Sequence, residues 1–283
     1  MSVAVVTDST AYLPVELSGR YELTVVPLTV VVNGAEGLEG VEIAPAEVAR
    51  ALSARRADVR TSRPAPSQFT SAYRRLLDAG AEGIVSVHLS SRLSGTYESA
   101  QLAAGEVGPR VTVVDSKTTG MGLGFAALAA GAAATGGAPL DAVRRVAVDH
   151  AAQVSTLFYV DTLEFLRRGG RIGAASALLG TALSVKPILH IVDGAIVVRD
   201  KVRTAGRALA RLVDLAVEAS GTGDVDIAVH HLAAPDRAAA LADAVSVRLG
   251  ERLRDCYIAE IGAVVAAHAG PGVVGVVVHR RLS

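Results

Sequence analysis

Gly83-Ile-Val-Ser-Val-His-Leu-Ser-Ser-Arg-Leu-Ser-Gly-Thr-Tyr-Glu-Ser-Ala100 changes character twice. Residues 83–89 are apolar and β-branched and read as a buried strand; residues 98–104 return to helix formers. The hydroxyl-rich join, residues 90–97, is therefore a loop at the carboxyl end of a strand, where open α/β sheets bind ligands. The helix that follows starts near Ser94 or Gly95, and its first N–H groups carry partial positive charge suited to an anion. A serine at such a point also caps helices. Both readings of Ser94 stand at this level.

The same arrangement recurs on either side. Residues 3–7 form an apolar strand ending in Asp8-Ser9-Thr10, and residues 110–114 form one ending in Asp115-Ser116-Lys117-Thr118-Thr119. Residues 45–56 read as a helix with proline in its first turn, and Thr61-Ser62-Arg63-Pro64 leads through a rigid proline pair into a helix over 68–78. Turn chemistry alone makes Thr61 and Ser62 an ordinary helix approach. Strands alternating with helices up to Val160 predict a largely parallel sheet covered on both faces.

Beyond Val160 the pattern changes. Asp161-Thr162-Leu163-Glu164 reads as a capping box for a short helix ending in Arg167-Arg168-Gly169-Gly170-Arg171, where the glycines permit a turn that lays an arginine against a ligand or partner. Asp193-Gly194, between two apolar runs, is a strong hairpin signal. A helix over 205–219, then strand, helix, strand and strand, completes a mixed unit. The expected organisation is α/β with two domains: residues 1–160, with the polar strand-end loops, and residues 161–283, with a glycine- and proline-bounded loop around His268.

Composition removes several classes of function. The formal charge is zero, tryptophan is absent and aromatics are 4% of the chain, so neither a basic field nor a stacking platform for nucleic acid exists. The lone Cys256 permits no internal disulfide, fits a reducing cytoplasm and, in an apolar strand-like context, reads as a buried structural thiol. The N-terminus reads as a strand and not a signal peptide. Residues 118–140 are uncharged but rich in Ala and Gly, which predicts a buried helix and not a membrane span. Gly122, Gly124 and Ala127 partly match a dinucleotide fingerprint, but Asp141 starts a helix where an acidic residue should end a second strand. No spacing of His and carboxylates supports a metal site.

Six motifs in order resemble the DegV family: Asp8-Ser9-Thr10, Thr61-Ser62-Arg63-Pro64, Leu93-Ser94-Gly95-Thr96-Tyr97, Arg168-Gly169-Gly170-Arg171-Ile172, Lys201-Val202-Arg203-Thr204 and His268-Ala269-Gly270-Pro271-Gly272. The resemblance covers essentially the whole chain. It implies a two-domain α/β carrier, not an enzyme by itself, that buries a long-chain fatty acid such as palmitate between its domains. It also implies a separate ATP-binding kinase subunit that phosphorylates the acid, no cofactor, and membrane contact only for lipid exchange. Carried over by the resemblance, Thr61 and Ser94 hydrogen-bond the carboxylate, with His268 nearby and Ser62 and Gly95 shaping the pocket. Arg171 and Arg203 match family arginines associated with phosphoryl transfer or docking of the kinase. Arg63 stands where relatives often carry an uncharged polar residue.

Physical chemistry is compatible with that division of labour. A tail of about fourteen methylenes offers on the order of 11 kcal/mol on burial, before ordering costs. Hydroxyl bonds to a carboxylate add roughly 1.5 to 3 kcal/mol each and set orientation. Two other classes compete: a serine hydrolase or transferase using Ser94 with His268 as base, and a nucleotide-binding regulator using Gly122 and Gly124. No Gly-x-Ser-x-Gly elbow is present for the first.

Overall fold

The computed structural model describes residues 2–54, 58–178 and 185–282. In chain order it runs β1 (Val3–Asp8), α1 (Val15–Arg20), β2 (Thr24–Val26), β3 (Thr29–Val32), β4 (Ala35–Leu38), α2 (Pro45–Ser53), β5 (Val59–Ser62), α3 (Pro66–Asp78), β6 (Gly83–His88), α4 (Thr96–Val107), β7 (Val111–Asp115), α5 (Met121–Thr135) and α6 (Leu140–Ala152). It continues with β8 (Val154–Tyr159), α7 (Glu164–Arg168), β9 (Lys186–Val192), β10 (Ala195–Val202), α8 (Ala205–Ala219), β11 (Val225–His231), α9 (Pro235–Leu249), β12 (Leu253–Glu260), α10 (Ala263–Ala269) and β13 (Val274–Arg280).

Two compact units result. One comprises residues 1–29 and 62–152, the other residues 30–61 and 153–283. This differs from a single cut at residue 160, for a physical reason: β8 is hydrogen-bonded antiparallel to β13 and β9, so residues 154–159 belong to the second unit's sheet. Residues 30–61 join that unit with a three-stranded sheet of their own, ordered β4-β3-β5. Such short strands carry too little periodicity to be read from sequence.

The first unit is a four-stranded, wholly parallel sheet ordered β2-β1-β6-β7. Alternation along the strands supplies both faces. Val5, Val85 and Val87 pack with Leu123, Ala126 and Ala130 of α5 and Val143 of α6, whereas Val6 and Ile84 pack with Phe69 and Tyr73 of α3 and Ala100 and Ala103 of α4. All strand exits therefore lie on one rim, which carries Asp8, Ser90–Ser94 and Asp115.

Helix α5 is buried nearly all round, which is why its sequence is Ala and Gly. A Cβ at Gly124 would stand 2.7 Å from Met121 Sδ and 2.8 Å from the Ala11 carbonyl oxygen. Gly122 and Gly124 thus both lie buried inside a helix, Gly124 as a close-packing residue, outside any phosphate-binding turn, and the nucleotide reading falls on that ground. Among the described residues no helix is long and apolar enough to cross a membrane.

The second unit's main sheet is ordered β10-β9-β8-β13-β11-β12, antiparallel except for β11 with β12. The expected hairpin joins β9 to β10, with Asp193 and Gly194 both at positive φ, +47° and +80°. Helices α8 and α9 cover its core through Leu212, Leu215, Leu241 and Val245. Cys256 is exposed, against the expectation of a buried thiol. It lies on β12 at the end of the sheet, and apolar content does not fix burial on an edge strand.

Candidate functional site

Strand β5 ends at Thr61, the last residue of the second unit's segment, and Ser62, so these residues close a strand and do not merely lead into a helix. Thr61 Oγ1 lies 2.8 Å from His268 Nε2. His268 is not in an open loop: it occupies the last turn of the short helix α10, which Gly270, at φ +78°, terminates. The buried Glu39 accepts a hydrogen bond from the Val264 N–H at 2.7 Å and so holds the start of α10.

The glycines between the arginines have separate tasks. Gly170 turns the chain at φ +70°. Gly169 packs against the His268 ring, where any Cβ would overlap Nδ1. The Arg171 guanidinium donates from Nη1 to the Gly169 carbonyl at 2.6 Å. Burial, with the Arg171 charge adding to it, pushes the His268 pKa down to about 4, so the ring is neutral near pH 7.

The tautomer follows from the packing. Nδ1 is buried and has no hydrogen-bond partner among the described residues, and it faces a C–H of Gly169. A C–H suits a lone pair and repels an N–H. The proton therefore sits on Nε2 and is donated to Thr61 Oγ1, which leaves the Thr61 hydroxyl proton free to be given to a further acceptor.

A cavity of about 360 Å³ adjoins the pair, lined by Thr61 and His268 with Phe165, Arg60, Arg168 and Arg171 among others. Asp58 lines it too and pairs with Arg60 at 2.9 Å, and Arg168 pairs with Glu164 at 2.7 Å, which leaves Arg171 as the guanidinium beside the Thr61–His268 pair. Arg168 and Arg167 clamp Glu164, so the expected capping box does not form. Thr162 Oγ1 instead accepts from the Glu164 N–H at 3.2 Å.

In the first unit, Gly95 is the residue that enters α4 and Ser94 immediately precedes it. The Ser94 N–H donates to the Ser90 carbonyl at 3.1 Å, and its hydroxyl lies 2.9 Å from Thr96 Oγ1. Ser90 is tied to β7 through its N–H to Thr118 O at 2.8 Å, and Ser91 donates its hydroxyl to Asp115 at 2.6 Å. Arg63 reaches the same loop, donating to Gly95 O at 3.3 Å and to Glu98 at 3.0 Å. It fills the space that a Gly95 side chain would need.

Ser62 is exposed, its hydroxyl 3.4 Å from Arg63 O. Arg203 is exposed at the exit of β10 and does not line the cavity that holds Arg171. No described group of His, Cys, Asp and Glu could hold a metal ion. Sequence reasoning missed Glu39, and it also missed the buried partners Tyr73, Ser86 and His88. For the last two a signal existed: alternate positions of an otherwise apolar strand are polar and share one face. Ser86, His88 and Asp8 line up as a hydrolase triad would, but all are fully buried and cannot meet a substrate. Ser94, the nucleophile of the hydrolase reading, is bonded at Thr96.

Fold and site together define a class: α/β proteins of two units that present neutral hydroxyls on strand-end loops, with arginines close to one of them. The family profile described as "Uncharacterised protein, DegV family" matches residues 2–281, and the chain belongs to the DegV family. It is 53% identical over 279 residues to a DegV domain-containing protein of Streptomyces coelicolor, with 99% of each chain covered. Its fold is similar to that of a DegV family protein from Thermus thermophilus whose structure is described as fatty-acid binding, with TM-score 0.94, 36% identity, and 99% and 100% of the two chains covered. It is also similar to DegV of Bacillus subtilis, described as a fatty acid binding protein, with TM-score 0.89, 30% identity, and 99% and 100% covered.

Proposed function

We propose that this protein binds a long-chain fatty acid and presents its carboxylate to a separate ATP-dependent kinase subunit, which forms the acyl phosphate. The observation that carries this reading is the Thr61–His268 pair, 2.8 Å apart, in which a neutral imidazole commits the threonine to donating its own proton outward. A carboxylate is the acceptor such a donor suits, and Ser94 supplies a second hydroxyl on the first unit's rim. Ser62 and Gly95 shape the neighbouring surface. The Thermus and Bacillus relatives support the ligand class.

Neutral donors hold a carboxylate in place without transferring its charge to a permanent counter-ion, so one oxygen stays nucleophilic toward a phosphoryl group. Arg171, beside the pair, is placed to balance charge as phosphate arrives; Arg203, exposed elsewhere on the unit, is a docking residue. The protein is a carrier without turnover of its own, works in the cytoplasm, and touches membranes only to exchange lipid. Its ligand is an acid of about fourteen to twenty carbons, whose tail supplies most of the affinity.

Denaturing solvent extraction of the purified protein, followed by mass spectrometry beside the native mass of the complex, tests this. A near-stoichiometric long-chain acid is expected. A bound nucleotide, or no lipid and no uptake of added acid, would overturn the reading.

A further inference from the structure

Under α3 and α4 the first unit contains a continuous chain of buried polar side chains. The Tyr73 hydroxyl donates to Ser86 Oγ at 2.8 Å, Ser86 Oγ lies 2.7 Å from His88 Nε2, and His88 Nδ1 lies 3.0 Å from Asp8 Oδ2. All four residues are fully buried. With Ser86 Oγ accepting from tyrosine, its own proton goes to Nε2, and the imidazole proton goes from Nδ1 to Asp8. Every donor is used once and in one direction.

The chain ends on a carboxylate that links two strand exits. Asp8 Oδ1 accepts from the Thr10 N–H at 3.1 Å and the Thr10 hydroxyl at 2.6 Å, at the exit of β1. Asp8 Oδ2 accepts from the Leu89 N–H at 3.0 Å, at the exit of β6. Leu89 leads directly to Ser90, whose carbonyl accepts the Ser94 N–H. Asp115 and Thr118 hold the loop from the β7 side, so Asp8 is its anchor on the other. Burial keeps the Tyr73 phenol above its usual pKa, so it remains a donor.

We infer that the Tyr73–Ser86–His88–Asp8 chain is the positioning element of the Ser94 loop: by orienting the Asp8 carboxylate it fixes where the Ser94 hydroxyl stands, and so how a bound acid's carboxylate is held. Asp8 and His88 are positioning residues that act through Leu89 and Ser90. The inference rests on the fatty-acid reading and adds the device that sets headgroup geometry.

The test uses the full chain loaded with palmitate carrying carbon-13 at the carboxyl, read by the carboxyl resonance, the rate of acid release and the melting temperature. His88→Phe keeps the edge contact of the ring with Phe69, 4.9 Å between centroids, but removes both hydrogen bonds. It is expected to move the carboxyl resonance and speed release about tenfold, the loss of roughly one charge-assisted bond. His88→Asn, whose amide can stand where Nδ1 stood and donate to Asp8, is expected to bring both back toward the unaltered protein. Should His88→Phe not fold, Ser86→Ala cuts the chain more gently and is expected to move the resonance in the same direction. A lowered melting temperature with unchanged resonance and release would mean a structural role only and overturn the inference, as would no recovery in His88→Asn. Absence of any bound carboxyl signal in the unaltered protein overturns the fatty-acid reading itself, a separate result.

Discussion

Gly169 packs against the imidazole of His268 so closely that a side chain at residue 169 would occupy the position of Nδ1. The contact explains a glycine whose backbone does not require one, since its φ is −74°, whereas Gly170 beside it sits at +70° with open space around it. Gly169→Ala must displace the ring and so disturb its hydrogen bond with Thr61; Gly170→Ala meets only backbone strain. The first is expected to cost about 1 to 3 kcal/mol of stability and to release bound acid, as overpacking does. The second costs about 1 kcal/mol and leaves acid retention unchanged. Melting curves with lipid analysis of both variants check this; equal retention in the two would separate Gly169 from the ligand.

Thr61→Val keeps the shape of the side chain and deletes its donor. Fatty-acid affinity is expected to fall about tenfold or more, the worth of one hydroxyl bond to a charged acceptor, with Thr61→Ser restoring most of it. Ser94→Ala in the same chain is expected to weaken binding further and to disorder the headgroup without emptying the pocket, because the tail carries most of the affinity. Titration calorimetry with a soluble long-chain acid decides the matter. Unchanged affinity in the double variant would remove the hydroxyls from the site.

These sites were unequally legible in the sequence. The Ser94 loop stood out because a buried β-branched run stops at a row of hydroxyls, and the parallel sheet followed from repetition of that pattern at Asp8 and Asp115. The Asp193-Gly194 turn was equally plain. The position of His268 on a helix was not, since Ala263–Ala269 is otherwise Ala and Val and too short to show a helical period. Nor was the pairing of Thr61 with His268, 207 residues apart, which depends on a four-residue strand and on residues 30–61 packing with the later part of the chain. The resemblance supplied names for those residues; the packing of Gly169 and the end of β5 supply the reason they meet.

Acid should destabilise the fold from about pH 6.5 downward. His268 and the buried His230 have pKa values near 4 in the folded protein, lowered from 6.5, both chiefly by burial. Between those values the unfolded chain binds protons that the folded one does not, so stability is complete above about pH 6.5 and declines as pH falls toward about 4, by on the order of 3 kcal/mol per histidine. Asp226, held below its ordinary value by His279 and Arg281 against the opposing effect of burial, adds a further loss at still lower pH. His230→Gln is expected to flatten the melting temperature between pH 7 and about 4.5 by roughly half. A profile that is flat in the unaltered protein over that range would contradict the buried neutral state of both rings.

Arg203 and Arg171 are expected to separate in function because they are placed differently. Arg171 is half-buried, donates to Gly169 O and lines the cavity beside His268, so Arg171→Ala should disturb the Gly169–His268 contact, weaken acid retention and impair phosphoryl transfer together. Arg203 is exposed one residue before Thr204, whose hydroxyl caps α8 by accepting the Arg207 N–H at 3.2 Å. Removing an exposed side chain of this kind changes stability by about 0.5 kcal/mol or less. Arg203→Ala should therefore melt as the unaltered protein does and keep its fatty acid, yet fail to yield acyl phosphate when mixed with a kinase subunit and ATP. The measurement is acyl phosphate trapped by hydroxylamine, beside extraction of the retained acid from the same sample. Loss of the acid from Arg203→Ala would make that arginine part of the binding site, and full acyl-phosphate yield would leave it with no part in docking.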